Sequence, residues 1–125
     1  MIALDANFIL RYLLQDNEEQ HRIAKRVIET ETCLVFNEVL AEVIYVLGGY
    51  YDTTRHDIAK SLHVMLEWDT LQMHEPKLVA MEALMLYAET RLDYVDCYLC
   101  ALRSHYRVAT FDKQLLKCLE SESTL

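Results

Sequence analysis

Glycine occurs twice and proline once in 125 residues. That scarcity, with no repeat or low-complexity stretch, speaks against linkers and disorder. The 53% of hydrophobic residues supplies enough apolar material for a core, and the length fits one domain. Long apolar runs are missing too. None approaches the ~20 residues that span a bilayer, and Met1-Ile2-Ala3-Leu4 meets Asp5 without the basic start of a signal peptide. A cytoplasmic protein that does not enter a membrane is expected. Cysteine is sparse and irregularly spaced, at Cys33, Cys97, Cys100 and Cys118. This is not the pattern of a secreted disulfide framework, so buried reduced thiols in a reducing compartment are expected. Positive charge is also short: the net charge of -8 argues against a broad basic groove that binds by neutralising phosphates. Nucleic acid stays open as a substrate, because a metal held by carboxylates can bridge to a phosphate, and Arg22, Lys25 and Arg26 share one expected helix.

Short apolar runs alternate with stretches of helical spacing. Runs at residues 2–4, 33–36, 71–73 and 107–109 read as strands. Helices are expected over residues 7–14, 18–29, 54–68, 93–105 and 112–119, with two more between them. One opens on Asn37 as its N-cap and runs to Leu47, where Gly48 and Gly49 end it; the other begins with Pro76 in its first turn and runs to Ala88. The organisation is one domain over residues 1–120 and a polar tail over 121–125. Alternating strands and helices imply an α/β sandwich with a mostly parallel sheet of about four short strands.

Four acids stand at the junctions of these elements. Asp5 and Asp112 each follow a strand, which places both at the carboxyl edge of a parallel sheet, where open α/β folds bind ligands. On a helical wheel Glu42 falls at the edge of the apolar arc made by Val39, Leu40, Val43, Ile44, Val46 and Leu47, whereas Glu38 lies further into the polar face. Asp96 sits in the first turn of its helix, where the helix dipole favours negative charge. Each acid alone reads as a cap or a solvated charge. Their joint placement suggests a pocket for a cation, because like charges at about 4 Å repel by roughly 4 kcal/mol at an effective dielectric near 20.

The residues also carry a resemblance. Leu4-Asp5-Ala6-Asn7-Phe8-Ile9-Leu10-Arg11-Tyr12-Leu13 resembles the opening motif of PIN-domain ribonucleases, in particular the VapC-type toxins of toxin-antitoxin pairs. Leu40-Ala41-Glu42-Val43-Ile44-Tyr45-Val46-Leu47 is similar to the family's acidic helix. Asp93-Tyr94-Val95-Asp96-Cys97-Tyr98-Leu99 and Thr110-Phe111-Asp112-Lys113 resemble its two later acidic motifs, in order and spacing across nearly the whole chain. The resemblance implies a PIN-like three-layer sandwich and an endoribonuclease dependent on Mg2+ or Mn2+, with Asp5, Glu42, Asp96 and Asp112 as its catalytic, metal-binding quartet. Asp5 and Asp96 would touch the metal directly, and Glu42 and Asp112 would position water or a second ion. Asn7 and Thr110 would hydrogen-bond to carboxylates or phosphate, a helix-cap or turn role being equally open for both. Asp93 is a fifth acid or an N-cap. RNA as substrate, a cognate antitoxin and a homodimer are the partners implied.

Two features depart from the family pattern: relatives often add a short strand after the last helix, and the acidic balance is unusual for a protein that cuts RNA. Cys97-x-x-Cys100 carries Tyr98 and Leu99 between its thiols and sits in a helix, so core packing is expected there in preference to a redox or zinc site. Three readings remain: a metal-dependent nuclease, a non-catalytic PIN-fold module that binds RNA or protein, and a thiol or metal module built on Cys97 and Cys100.

Overall fold

A computed structural model describes residues 1–121 as an α/β fold. Among them, three short parallel strands lie in the order β1 (Ile2–Ala3), β2 (Cys33–Val35), β3 (Leu71–Met73), with Ile2 beside Cys33 and Cys33 beside Leu71. Seven α-helices flank the sheet: α1 (Ala6–Leu14), α2 (Glu18–Thr30), α3 (Asn37–Gly49), α4 (Arg55–Leu66), α5 (Lys77–Glu89), α6 (Tyr94–Ala101) and α7 (Lys113–Leu119). No helix among the described residues is long and apolar enough to cross a membrane. The core gathers fully buried Ile9, Ile28, Val35, Leu40, Val43, Ile58, Leu62, Leu71 and Leu84 from strands and helices alike. Of the expected tail, residues 122–125 lie outside the described residues, and Ser121 forms a bend.

Several local expectations are corrected. The described sheet has three strands, not four: residues 107–109 run as irregular chain, with Arg107 and Ala109 exposed and only Val108 partly covered. One half-covered apolar residue offers too little burial to hold a further strand on the sheet. Asn37 is the first residue of α3 and does not cap it; Phe36 holds the cap position. The Asn37 side chain instead accepts from the Tyr94 hydroxyl, a buried donor that needs an acceptor. Gly48 and Gly49 lie inside the last turn of α3, without positive φ, and Tyr50 closes the helix by donating to the Val46 carbonyl. Pro76 precedes α5 by one residue, and α5 runs on to Glu89. The helix expected over 93–105 ends at Ala101 and tightens into a 3-10 turn, Leu102–Ser104.

The cysteines are the largest correction. Cys100 and Cys118 form a disulfide between α6 and α7, so they are not reduced thiols, and the thiol argument for a reducing compartment falls with them. Cys33 and Cys97 are free and buried. Desolvation pushes the Cys97 thiol up to about 11, and its sulfur donates to the Leu92 carbonyl, as inert core packing requires. Around the disulfide, Arg103 donates to the Cys100 carbonyl at 2.6 Å and to the buried Glu82 carboxylate at 3.1 Å, which ties the end of α6 to α5.

The disulfide closes a sequence separation of 18 residues, so Cys118→Ser is expected to lower stability by ~3 kcal/mol, since the cross-link restricts the unfolded chain. Reductant added to the native chain should move the urea midpoint in the same direction. Identical midpoints with and without reductant would contradict the bond.

Candidate active site

Three parallel strands leave the sheet at one edge, and their exits carry polar residues. Asp5 follows β1, Asn37 follows β2, and Glu75 follows β3. The Asn37 N–H donates to Glu75 Oε1 at 3.0 Å, which joins the second and third exits. The Tyr94 hydroxyl then donates to Asn37 Oδ1 at 2.8 Å and brings the start of α6 to the same edge. Burial, first among its causes, raises the Tyr94 phenol far above its usual range, so it stays a donor. From the other side, Arg55 fixes the turn before α6: Nε donates to the Tyr87 carbonyl at 2.9 Å, Nη2 donates to the Leu92 carbonyl, and the guanidinium lies 3.7 Å over the Tyr87 ring.

Asp96 is the third residue of α6 and is partly buried. Its carboxyl is pushed above the ordinary range by partial burial first, then by the negative charges of Asp112 and Asp93. Asp96, Asp112 and Asp93 therefore share one electrostatic neighbourhood. Asp112 and Asp5 both cap helices with a single oxygen: Asp112 Oδ1 accepts from Leu115 N–H and Asp5 Oδ1 from Phe8 N–H, each at 2.8 Å. The second oxygen of each carboxylate makes neither of these bonds. Asp93 holds the N-cap position of α6 but makes no capping bond, so the expected capping role is not realised.

Of the other expected residues, Glu42 is exposed on α3 together with Glu38, and the inward tilt that separated the two on the wheel is not present. The buried arc of α3 is Leu40, Val43, Ile44 and Leu47, which leaves residues 38, 42 and 45 along one solvent-facing stripe. Asn7 is exposed and lines a pocket of about 270 Å³ with Asp5, Phe8, Gln20 and Ile23. Thr110 Oγ1 accepts from the Asp112 N–H at 3.0 Å, so it shapes the turn that presents Asp112. Glu75 escaped the sequence reading. Its signal was there, since an acid just past an apolar strand is the pattern that singled out Asp5.

The donor set is all carboxylate oxygen, which suits Mg2+ or Mn2+ in preference to softer ions. Among the described residues no group of three or more His, Cys, Asp or Glu side chains is gathered closely enough to hold a metal ion. A hard cation in its water-rich mode would take one or two carboxylates directly, with water completing its shell.

A parallel α/β sheet whose carboxyl edge carries mutually repelling acids defines the class of open-edge α/β proteins that act on ligands at strand ends. The chain matches the PIN domain over residues 2–118, and it belongs to the PIN-domain family. No curated protein and no solved structure matches it. PIN domains are generally nucleases that typically use divalent metals, so the family gives a nuclease-type function with nucleic acid as substrate.

The raised Asp96 carboxyl has a consequence for stability. A group whose folded pKa is raised contributes stability that is present below its unfolded value, about 3.9, and lost as pH rises through the folded value. Ionised Asp96 therefore burdens the fold at neutral pH. Asp96→Asn should melt at a higher temperature than wild type at neutral pH in chelator, and the advantage should vanish below about pH 4. A less stable variant at neutral pH would contradict this account of the acids.

Proposed function

We propose that this chain is a metal-dependent endoribonuclease, the toxin of a toxin-antitoxin pair. The single observation that carries the reading is the shared neighbourhood of Asp93, Asp96 and Asp112, in a chain of a family whose members are generally nucleases. Asp5 and Asp96 would hold the cation directly, with Glu42 and Asp112 acting through water or on a second ion. When bound, the cation supplies Lewis acidity toward a phosphate oxygen and makes water a better nucleophile at neutral pH.

The chain's own residues do the rest. Capping bonds fix Asp5 and Asp112, so each keeps one oxygen directed while the other stays available to a ligand or a water. Asp96, whose carboxyl is raised by partial burial and by the charges of Asp112 and Asp93, gains from a cation. Thr110 holds Asp112 in its turn through the backbone, and Asn7 offers an amide to a carboxylate or phosphate beside Asp5. The scissile phosphate would meet water on the side facing these acids, and the bond to the departing ribose oxygen would break in line. A homodimer through α5, which exposes Leu78 and Met85, and a small antitoxin belong to the same reading.

Purified full chain is expected to cleave RNA in Mg2+ or Mn2+ and not in chelator. Asp5→Asn and Asp96→Asn should each reduce cleavage by ~100-fold or more with unchanged circular dichroism. Equal cleavage in chelator, or by either variant, would sink the mechanism. For the toxin role, a gene for a small DNA-binding protein immediately upstream is the supporting observation to seek.

A further inference from the structure

The Cys100–Cys118 bond is unevenly covered. Cys100 is fully buried, whereas Cys118 is only partly covered and lines a cavity of about 450 Å³ between the end of α5 and α7. A thiol from solvent therefore reaches one sulfur of the pair. The charged residues lining that cavity are Arg91 and Lys117, and no acid stands among the described residues of its wall. In a chain of net charge -8 this is a local patch of positive charge. The larger cavity between α1, α2 and α4, by contrast, sets Glu29 and Asp57 against Lys25 and Lys60.

The buried sulfur has its own partner. Arg103 Nη1 lies 3.4 Å from Cys100 Sγ while it donates to the Cys100 carbonyl and to Glu82, and its Nε donates to the Ser121 carbonyl at 3.1 Å. A fixed N–H donor thus stands where negative charge would develop if the bond opened toward Cys100. Glu82 balances the charge of the guanidinium, so the help it gives is a directed hydrogen bond. Thiol exchange needs access to the sulfur attacked, and it runs faster when the departing sulfur is the better stabilised thiolate. Both conditions select the same direction.

We propose that this disulfide is a thiol-exchange site, opened at Cys118 by a small acidic thiol that docks against Arg91 and Lys117. The thiolate forms a bond to Cys118 Sγ, the bond between the two cysteines breaks, and its electron pair leaves on Cys100 Sγ. A second equivalent of the thiol then displaces Cys118 from the mixed disulfide. Two thiols are thereby oxidised to one small disulfide, and the two cysteines take up the two electrons and the two protons. The helix α7 feels the result, because Leu115 is its buried residue and the cross-link is its covalent tie to α6. Opening the bond loosens the helix that Asp112 caps. Nothing in this step requires the chain to cut RNA.

Thioglycolate, 2-mercaptoethanol and cysteamine are anionic, neutral and cationic thiols, and they serve as probes on the full chain. Each rate of opening is taken per thiolate and divided by the rate of the same thiol on bis(2-hydroxyethyl) disulfide. Thioglycolate should lead 2-mercaptoethanol by roughly threefold at low salt, cysteamine should trail it, and the lead should fade as salt is added. The net charge of the chain alone would give the opposite order. Arg91→Gln combined with Lys117→Gln should erase the lead and leave the melting temperature of the oxidised chain unchanged, since both side chains are exposed. After a maleimide quench, peptide mass spectrometry should find the thioglycolate adduct on Cys118 and the maleimide on Cys100. Arg103→Gln should slow opening by all three thiols roughly fivefold; should that variant not fold, the adduct position and the charge order decide alone. Hydrogen exchange at the Leu115 amide should quicken once the bond is open. No lead for thioglycolate, a lead that survives the double variant, an adduct on Cys100, a folded Arg103→Gln that opens at the native rate, or unchanged exchange at Leu115 would each overturn the proposal.

Discussion

The Tyr94 hydroxyl bonded to Asn37, whose own N–H is bonded to Glu75, is the contact on which the arrangement of the site depends. A phenol buried among apolar neighbours must find an acceptor, and the one it finds lies at the start of α3, where β2 leaves the sheet. That pairing fixes where α6 begins. Asp93 and Asp96 are carried to the sheet edge as a result, while Arg55 holds the preceding turn through two carbonyls and the Tyr87 ring. Hydrogen bonds through Asn37, Glu75 and Arg55, together with burial, impose this geometry, and Asp96 bears its electrostatic cost.

That cost is visible at Asp96. Partial burial and two neighbouring carboxylates disfavour its charge, although a position in the first turn of a helix favours it. A structural role would be better served by an uncharged residue there. Strain concentrated on one group, at the edge where a parallel sheet opens, is how a fold prepares a place for a cation or a proton. Asp5 and Asp112 contribute differently. Each caps a helix through one oxygen, so structural and functional duties are divided within a single carboxylate.

Much of the fold was legible because its signals are local. The first three strands, the switch to helical spacing after Asp5, and the helix starts at Thr54 and Asp112, both of which cap their helices, follow from apolar runs and from side chains that bond their own backbone. Asp5 at the end of β1 was legible for the same reason, since a carboxylate placed just past a parallel strand has one edge to occupy; Asp112 follows irregular chain, so its strand-end reading falls with the fourth strand. Misreadings occurred where a distant group competed with a local one. Asn37 looked like a cap until Tyr94 claimed its amide oxygen. Gly48 and Gly49 looked like a stop, but a glycine in the last turn costs only about 1 kcal/mol, and α3 continues through both. The wheel tilted Glu42 inward on a uniform apolar arc, whereas the neighbours that cover α3 leave it on the solvent side.

By itself the sequence determined the α/β class, the first three strands with the helices between them, and the places of Asp5 at a strand end and Asp96 at a helix start, because spacing and capping act over a few residues. Only the tertiary structure decided that Cys100 pairs with Cys118, that residues 107–109 stay off the sheet, that Glu75 joins the edge, and that Asp96 meets the fields of Asp112 and Asp93. Each of those outcomes depends on which surfaces pack together across long stretches of chain. Burial, which sets that packing, is a property of the whole domain and is written at no single position.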